Sequence, residues 1–214
     1  MYEAEKKEII KAALLLKEYR LISLSGGNVS IRTGSNHIIA TPSGMMYETM
    51  IPEDVVVLNM EGNTIEGTKR VSVDIEAILY IFKNKLEINA VIHTHQVYAT
   101  AVGLVEDELP AAVTTLPNAT LGPVTVAPYS SAASLEMGIN TVKYINNKRA
   151  VILKNHGVIT VGGTLKEALY AAIYLEDAAK TYIMAKAIGN PSILDAEETE
   201  IAVQKFMDYG QRQE

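Results

Sequence analysis

Apolar residues recur at three- and four-residue spacing over the first twenty positions. Ile9, Ile10, Ala13, Leu14 and Leu16 cluster near one side there, which predicts an amphipathic helix. The period then shortens. Val29 to Arg32 and Ile38 to Thr41 read as strands on either side of the turn Thr33-Gly34-Ser35-Asn36, and Pro42-Ser43-Gly44 is a further turn. Val55 to Leu58 has the β-branched, apolar character of a buried strand, and Glu61-Gly62-Asn63 is a hairpin turn before Thr64-Ile65. Helical spacing returns between Ser72 and Lys85 through Ile75, Ile78, Leu79 and Phe82. Ala90-Val91-Ile92 forms a strand running into His93, and a second helical pattern covers Ala132 to Ile145. Ala150 to Leu153 and Val158 to Val161 are strands around the turn Asn155-His156-Gly157. Thr164, followed three residues later by Glu167, is a capping box that opens a long alanine-rich helix to Lys186. Asp195 to Tyr209 reads as a last helix. Strands and helices interleave, with hairpins in the first half, so the pattern predicts a layered α/β or α+β fold on a mixed sheet.

The chain has 214 residues, 48% of them hydrophobic, enough for a sizeable core in a single domain over 1–214. No linker, repeat or low-complexity stretch divides it. Its net charge of −6 without a basic cluster argues against nucleic acid as the main partner, although a small anion needs only local positive potential. There is no cysteine, which excludes disulfides, thiolate zinc sites and cysteine nucleophiles. Apolar runs such as Ala12 to Leu16 are too short to span a bilayer, and the first residues lack a signal-peptide layout. The expectation is a soluble, cytoplasmic protein with no membrane partner.

Three of the four histidines sit where chemistry is expected. His93 and His95 follow an apolar strand, and residues two apart in a strand project from one face, so both imidazoles can converge on one ion. His156 ends a second apolar strand, beside a glycine that permits a turn. Together they would make a three-nitrogen site with room for substrate. The plainer explanation is a pair of half-buried histidines capping a strand. His37, after a turn in a hairpin, reads as ordinary surface. Asp74 and Glu76 are the nearest acids that could complete the set, although Asp74 at a helix start is also explained by the helix dipole.

Anion-binding features accompany the histidines. Ser25-Gly26-Gly27-Asn28-Val29-Ser30 can form a nest of backbone N–H groups, Thr41-Pro42-Ser43-Gly44 is a second tight turn with hydroxyl donors, and Ser72 stands at a helix start. Each alone is commonly a plain turn. No phosphate loop of the nucleotide-binding kinds is present.

In order and spacing, Gly26 to Ser30, Thr41 to Gly44, Ser72-Val73-Asp74, His93-Thr94-His95 and Asn155-His156-Gly157 resemble the class II aldolase and sugar-phosphate 4-epimerase family over nearly the whole chain. The resemblance implies an α/β fold, a three-layer α/β/α sandwich with a central mixed, largely antiparallel sheet, assembled as a four-fold homotetramer with active sites at subunit interfaces. It implies Zn2+ (or another divalent ion such as Mn2+ or Co2+) held by His93, His95 and His156, with Asp74 as a further ligand or acid/base group. It implies substrate phosphate held at Gly27, Asn28, Ser43, Gly44 and Ser72. The implied activity is cleavage of a ketose 1-phosphate, similar to L-fuculose 1-phosphate, into dihydroxyacetone phosphate and an aldehyde through a metal-stabilised enediolate. A 4-epimerase acting on a pentulose 5-phosphate, or a catalytically silent binding module, are the alternatives. The chain departs from the family pattern in three places. Val73 replaces the second serine of a Ser-Ser pair, and Asp74 stands where fuculose-type aldolases have glutamate. Thr114-Thr115 and Asn118 replace the tyrosine or aspartate expected after Leu109-Pro110. Tyr209 resembles the tyrosine that aldolases lend across an interface, and a packing role on a terminal helix explains it equally.

Overall fold

Period-two alternation gives each long strand two apolar faces, and each face gathers its own helices. The computed structural model describes residues 1–207. Its strands are β1 (Gly27–Arg32), β2 (Ile38–Ala40), β3 (Val56–Leu58), β4 (Thr64–Glu66), β5 (Ala90–Thr94), β6 (Glu108–Leu109), β7 (Val124–Ala127), β8 (Ala150–Leu153) and β9 (Gly157–Gly162). They form one nine-stranded sheet in the order β4-β3-β2-β1-β5-β9-β8-β7-β6. Every neighbouring pair is antiparallel except β7 with β8. The helices are α1 (Glu3–Glu18), α2 (Ile75–Asn84), α3 (Val97–Val105), α4 (Thr115–Thr120), α5 (Leu135–Ile145), α6 (Leu165–Ile188) and α7 (Ala196–Met207). The parallel pair is joined through α5, as a parallel connection requires a crossover.

One face of the sheet carries Val29, Ile31, Ile39, Val57 and Ile92, packed against Ile9, Ala13 and Leu16 of α1 and Ala168 and Ala172 of α6. The residues between them, Ile38, Val56, Leu58 and Val91, join Ile159 and Val161 on the other face under α2 and α5. Further along, Val126, Ile152 and Val158 pack on α3, α4 and the second half of α6. The result is the expected three-layer α/β/α arrangement around a mixed, largely antiparallel sheet. No helix among the described residues is long and apolar enough to cross a membrane.

The helix expected from Ser72 starts only at Ile75. Ser72 Oγ accepts from Asp74 N at 3.3 Å and closes a turn that holds 72–74 out of the helix. The capping box at Thr164 forms as expected, with Thr164 Oγ1 accepting from Glu167 N at 3.2 Å and Glu167 Oε2 accepting from Thr164 N at 3.1 Å. Between Gln96 and Ser131, where the sequence pattern predicted no elements, lie α3, β6, α4 and β7.

Antiparallel pairing decides where chemistry can collect. β5 runs between β1 and β9, so the end of β5 meets the beginnings of both neighbours. Asn28 lies across from His93, Gly27 across from Thr94, and Thr94 across from Val158. His156 directly precedes β9, which carries it to the same end of the sheet.

Candidate active site

The three histidines expected to act together are brought together. One ring nitrogen from each of His93, His95 and His156 lies within 4.8 Å of the others, and His93 is buried while His95 is exposed. His93 donates through Nδ1–H to the carbonyl of Val158 at 2.9 Å, which leaves the lone pair of its Nε2 facing inward. That Nε2 meets Nε2 of His95 at 3.0 Å. Nδ1 of His156 is buried without a hydrogen-bond partner.

Glycines make the room. A Cβ on Gly26 would stand 3.2 Å from Nδ1 of His95, and one on Gly157 would press on the Thr94 carbonyl and on the His95 ring at 3.0 Å. Gly157 is therefore needed for space. The left-handed residue of the turn is Asn155, at φ 59°. Gly27, at φ 156°, packs against the carbonyl of His93. Its own carbonyl accepts a 2.6 Å hydrogen bond from the buried Tyr47 hydroxyl, whose pKa burial raises to about 12.

Asp74 stands outside the histidine group, held by three donors. Its Oδ2 accepts from Asn28 Nδ2 at 3.0 Å and from Ser72 Oγ at 3.3 Å. Its Oδ1 accepts from the backbone N–H of Ala133 at 3.2 Å. It occupies the N-cap position of α2 but makes no capping bond, so these three donors set its orientation. The residue that donates to it is strained, because Ala133 has φ 60°. For a residue bearing Cβ the left-handed region costs about 1–2 kcal/mol, against which glycine's extra chain entropy offsets about 0.5–1 kcal/mol. Ala133→Gly is expected to raise the melting temperature by roughly 2 °C while keeping the bond to Asp74. Scanning calorimetry of the two proteins checks this.

The segments expected to hold phosphate assemble beside this carboxylate. Asn28 Nδ2 also lies 3.1 Å from Ser72 Oγ. Pro42 bridges antiparallel to Val71, and Ser43 N–H donates to the Arg70 carbonyl at 2.8 Å, which joins the Thr41–Gly44 turn to the Ser72–Asp74 turn. Ser43 and Gly44 are exposed, and Gly44 is left-handed at φ 70°. The nest expected of the first loop does not offer its amides, because Gly26 N–H donates to Ser23 O and Gly27 N–H to Ser25 O. Val73, which takes the place of a hydroxyl donor, is exposed beside Ser72. His37 lies apart from these groups, in a 3.0 Å hydrogen bond with the hydroxyl of Tyr2. Tyr209 lies outside the described residues.

Electrostatics favour neutral imidazoles. Burial lowers the pKa of His93 to about 4, against the opposing pull of Asp74, and the other two histidines push the same way as burial. Burial likewise lowers His95 and His156. Neutral rings with inward lone pairs are what a divalent cation takes as ligands, and two nitrogens on one tetrahedral ion at 2.0–2.1 Å would stand about 3.3 Å apart. The 3.0 Å separation and the orphaned nitrogen of His156 fit that requirement. The same shifts set a pH dependence for the metal-free protein. Unfolded histidines take up protons near pH 6.5, whereas folded His93 resists protonation until about pH 4, and His95 and His156 are shifted in the same direction. Stability is therefore complete above about pH 6.5 and is lost as pH falls from there towards about 4. Thermal melts of chelator-treated protein are expected to fall between pH 7.5 and pH 5, and a flat profile would contradict the burial of His93.

Comparison with known proteins gives a consistent picture. The model of the family described as Class II Aldolase and Adducin N-terminal domain matches residues 7–183. A 5-deoxy-D-ribulose 1-phosphate aldolase of Bacillus thuringiensis serovar kurstaki is 34% identical over 214 residues, covering 99% of this chain and 100% of that protein. An L-fuculose phosphate aldolase of Methanococcus maripaludis is 36% identical over 178 residues, covering 83% of this chain and 96% of its own length. Among solved structures, an L-fuculose 1-phosphate aldolase superposes with a TM-score of 0.89 at 32% identity, over 94% of this chain and 95% of that one.

Proposed function

The chain belongs to the class II aldolase family, and from that premise we propose that it is a metal-dependent lyase. Its substrate is a ketose 1-phosphate of the kind named in its relatives, split into dihydroxyacetone phosphate and an aldehyde. The observation that carries this reading is the convergence of three imidazoles at the end of β5, with a buried, thrice hydrogen-bonded carboxylate on the neighbouring turn.

His93, His95 and His156 would hold the metal, and the all-nitrogen donor set suits Zn2+ first and Mn2+ or Co2+ after it. When bound, such an ion supplies Lewis-acid polarisation of the substrate's carbonyl oxygen. The protein's own groups do the rest. Asp74 moves the proton at the carbon beside the carbonyl, and the donors from Asn28, Ser72 and Ala133 aim its oxygens. Ser43, Gly44 and Ser72 hold the phosphate, with Asn28 orienting Ser72 and Gly27 shaping the loop behind them, so binding energy remote from the breaking bond positions it. Val73 contributes no hydroxyl there, and exposed Arg70, whose carbonyl accepts from Ser43 N–H, is a cationic residue of the same turn. We also propose assembly as a homotetramer. The exposed apolar side chains of Val97, Leu104 and Val105 on α3 are a surface that an assembly would cover, and sedimentation velocity measures its mass.

The direct test incubates the protein with dihydroxyacetone phosphate in heavy water and follows loss of the exchangeable C–H signal by NMR. Exchange that stops on adding a chelator and returns with Zn2+ is expected. Absence of exchange in the metal-loaded protein would overturn the reading.

A further inference from the structure

His95 lies one residue beyond the sheet, because the last ladder partners of β5 are Gly27 and Val158, both opposite Thr94. A ligand outside the ladder needs another anchor, and α6 provides one. Thr94 and Gln96 alternate with the two histidines, so their side chains leave the opposite face. Thr94 Oγ1 donates to Gln96 Oε1 at 2.6 Å, and Gln96 Nε2 donates to the Ala172 carbonyl of α6 at 3.2 Å. Beside them the buried Glu176 accepts two backbone amides from the first turn of α3, Tyr98 N at Oε1 and Ala99 N at Oε2, both at 2.9 Å. Gln96 Nε2 stands 3.5 Å from the same carboxylate. Among the described residues no lysine, arginine or histidine pairs with Glu176, so backbone and amide N–H groups compensate its charge.

We propose that Glu176 is a positioning residue of the metal site. It clamps the start of α3 and, through Gln96, the chain immediately after His95, and so fixes the direction of that imidazole from the far side of the sheet. The inference rests on the metal-binding reading above and extends it to a residue that touches neither metal nor substrate. Gly26 and Gly157 leave the His95 ring a narrow slot, so a small shift of this backbone moves the ring nitrogen out of line.

Co2+ serves as both metal and probe, since its d–d absorption reports coordination geometry. Glu176→Gln keeps the shape of the side chain but turns one acceptor into an NH2 group facing a backbone N–H. Relative to wild type, Co2+ affinity measured by chelator competition should fall by about 10–100-fold. The absorption bands should shift, at a temperature where the variant is fully folded. Leu169→Ala, on the same helix in the core beside α1, lowers stability without touching this clamp and should leave the spectrum unchanged. Wild-type affinity and spectrum in Glu176→Gln would overturn the proposal. So would an equal spectral change in Leu169→Ala, which would mark the effect as general loosening. Should Glu176→Gln fail to fold, Thr94→Val removes the hydroxyl bound to Gln96 and carries the same expectation and the same refutation. Wild-type protein that takes up no Co2+ would instead refute the metal reading, and this inference with it.

Discussion

The His95→Ala protein is expected to bind Zn2+ or Co2+ more than about 100-fold more weakly than wild type, beyond the usual effect of removing a group behind a ligand. Its chelator-sensitive exchange on dihydroxyacetone phosphate should disappear with the metal. Among the three histidines, His95 is the informative one to remove. His93 is buried and bonded to the Val158 carbonyl, so its loss leaves a cavity and an unpaired acceptor that blur metal binding with folding. His95 is exposed, so its truncation is expected to disturb the metal-free fold less than that of His93 does. Isothermal titration with Co2+, paired with thermal melts of the metal-free proteins, separates the two effects. Full exchange activity in His95→Ala would sink the mechanism, because two remaining imidazoles do not make the site described here.

Much of this site was legible in the sequence, because its parts sit at strand ends. The apolar runs before His93 and His156 have strand character, and strands that pair antiparallel in a central sheet bring their ends together. What could not be read was side-chain direction. Asp74 sits at a helix start, where the dipole explains an acid well, yet its oxygens turn to Asn28, Ser72 and Ala133 and leave the helix uncapped. Glu176 lies in an alanine-rich helix with charged neighbours, and nothing in its spacing sets it apart from a solvated residue. Its partners on α3 are 77 and 78 positions away in the chain. The stretch 97–131 hid its elements for different reasons. α3 is apolar nearly all round, so no polar face marks its period. α4 is a six-residue helix containing Pro117, and β6 has two residues, too short for any period to register.

The second large effect is expected at Asp74. Asp74→Asn should keep the metal and lose about 10²–10⁴-fold in the exchange rate, the range associated with removing a positioned proton carrier. An amide has nearly the shape of the carboxylate but only one acceptor oxygen. Wild-type Asp74 accepts from Ala133 N–H on one side and from Asn28 and Ser72 on the other. In the variant one of these sides meets an NH2 group, so a buried donor is left unpaired at a cost of about 1–3 kcal/mol. A lower melting temperature therefore accompanies the slower exchange and does not by itself identify a catalytic role. The decisive comparison is between variants. Ser72→Ala also removes a hydrogen bond from this network but leaves the carboxylate in place, so it should lose stability while retaining most of the exchange rate at saturating dihydroxyacetone phosphate, with a raised KM. If Asp74→Asn and Ser72→Ala lose the rate equally, Asp74 serves to tie the start of α2 to the Ala133 segment, and the proton must be carried elsewhere. If the rate collapses only in Asp74→Asn, with Co2+ affinity held by the three histidines, the carboxylate is the group that moves the proton.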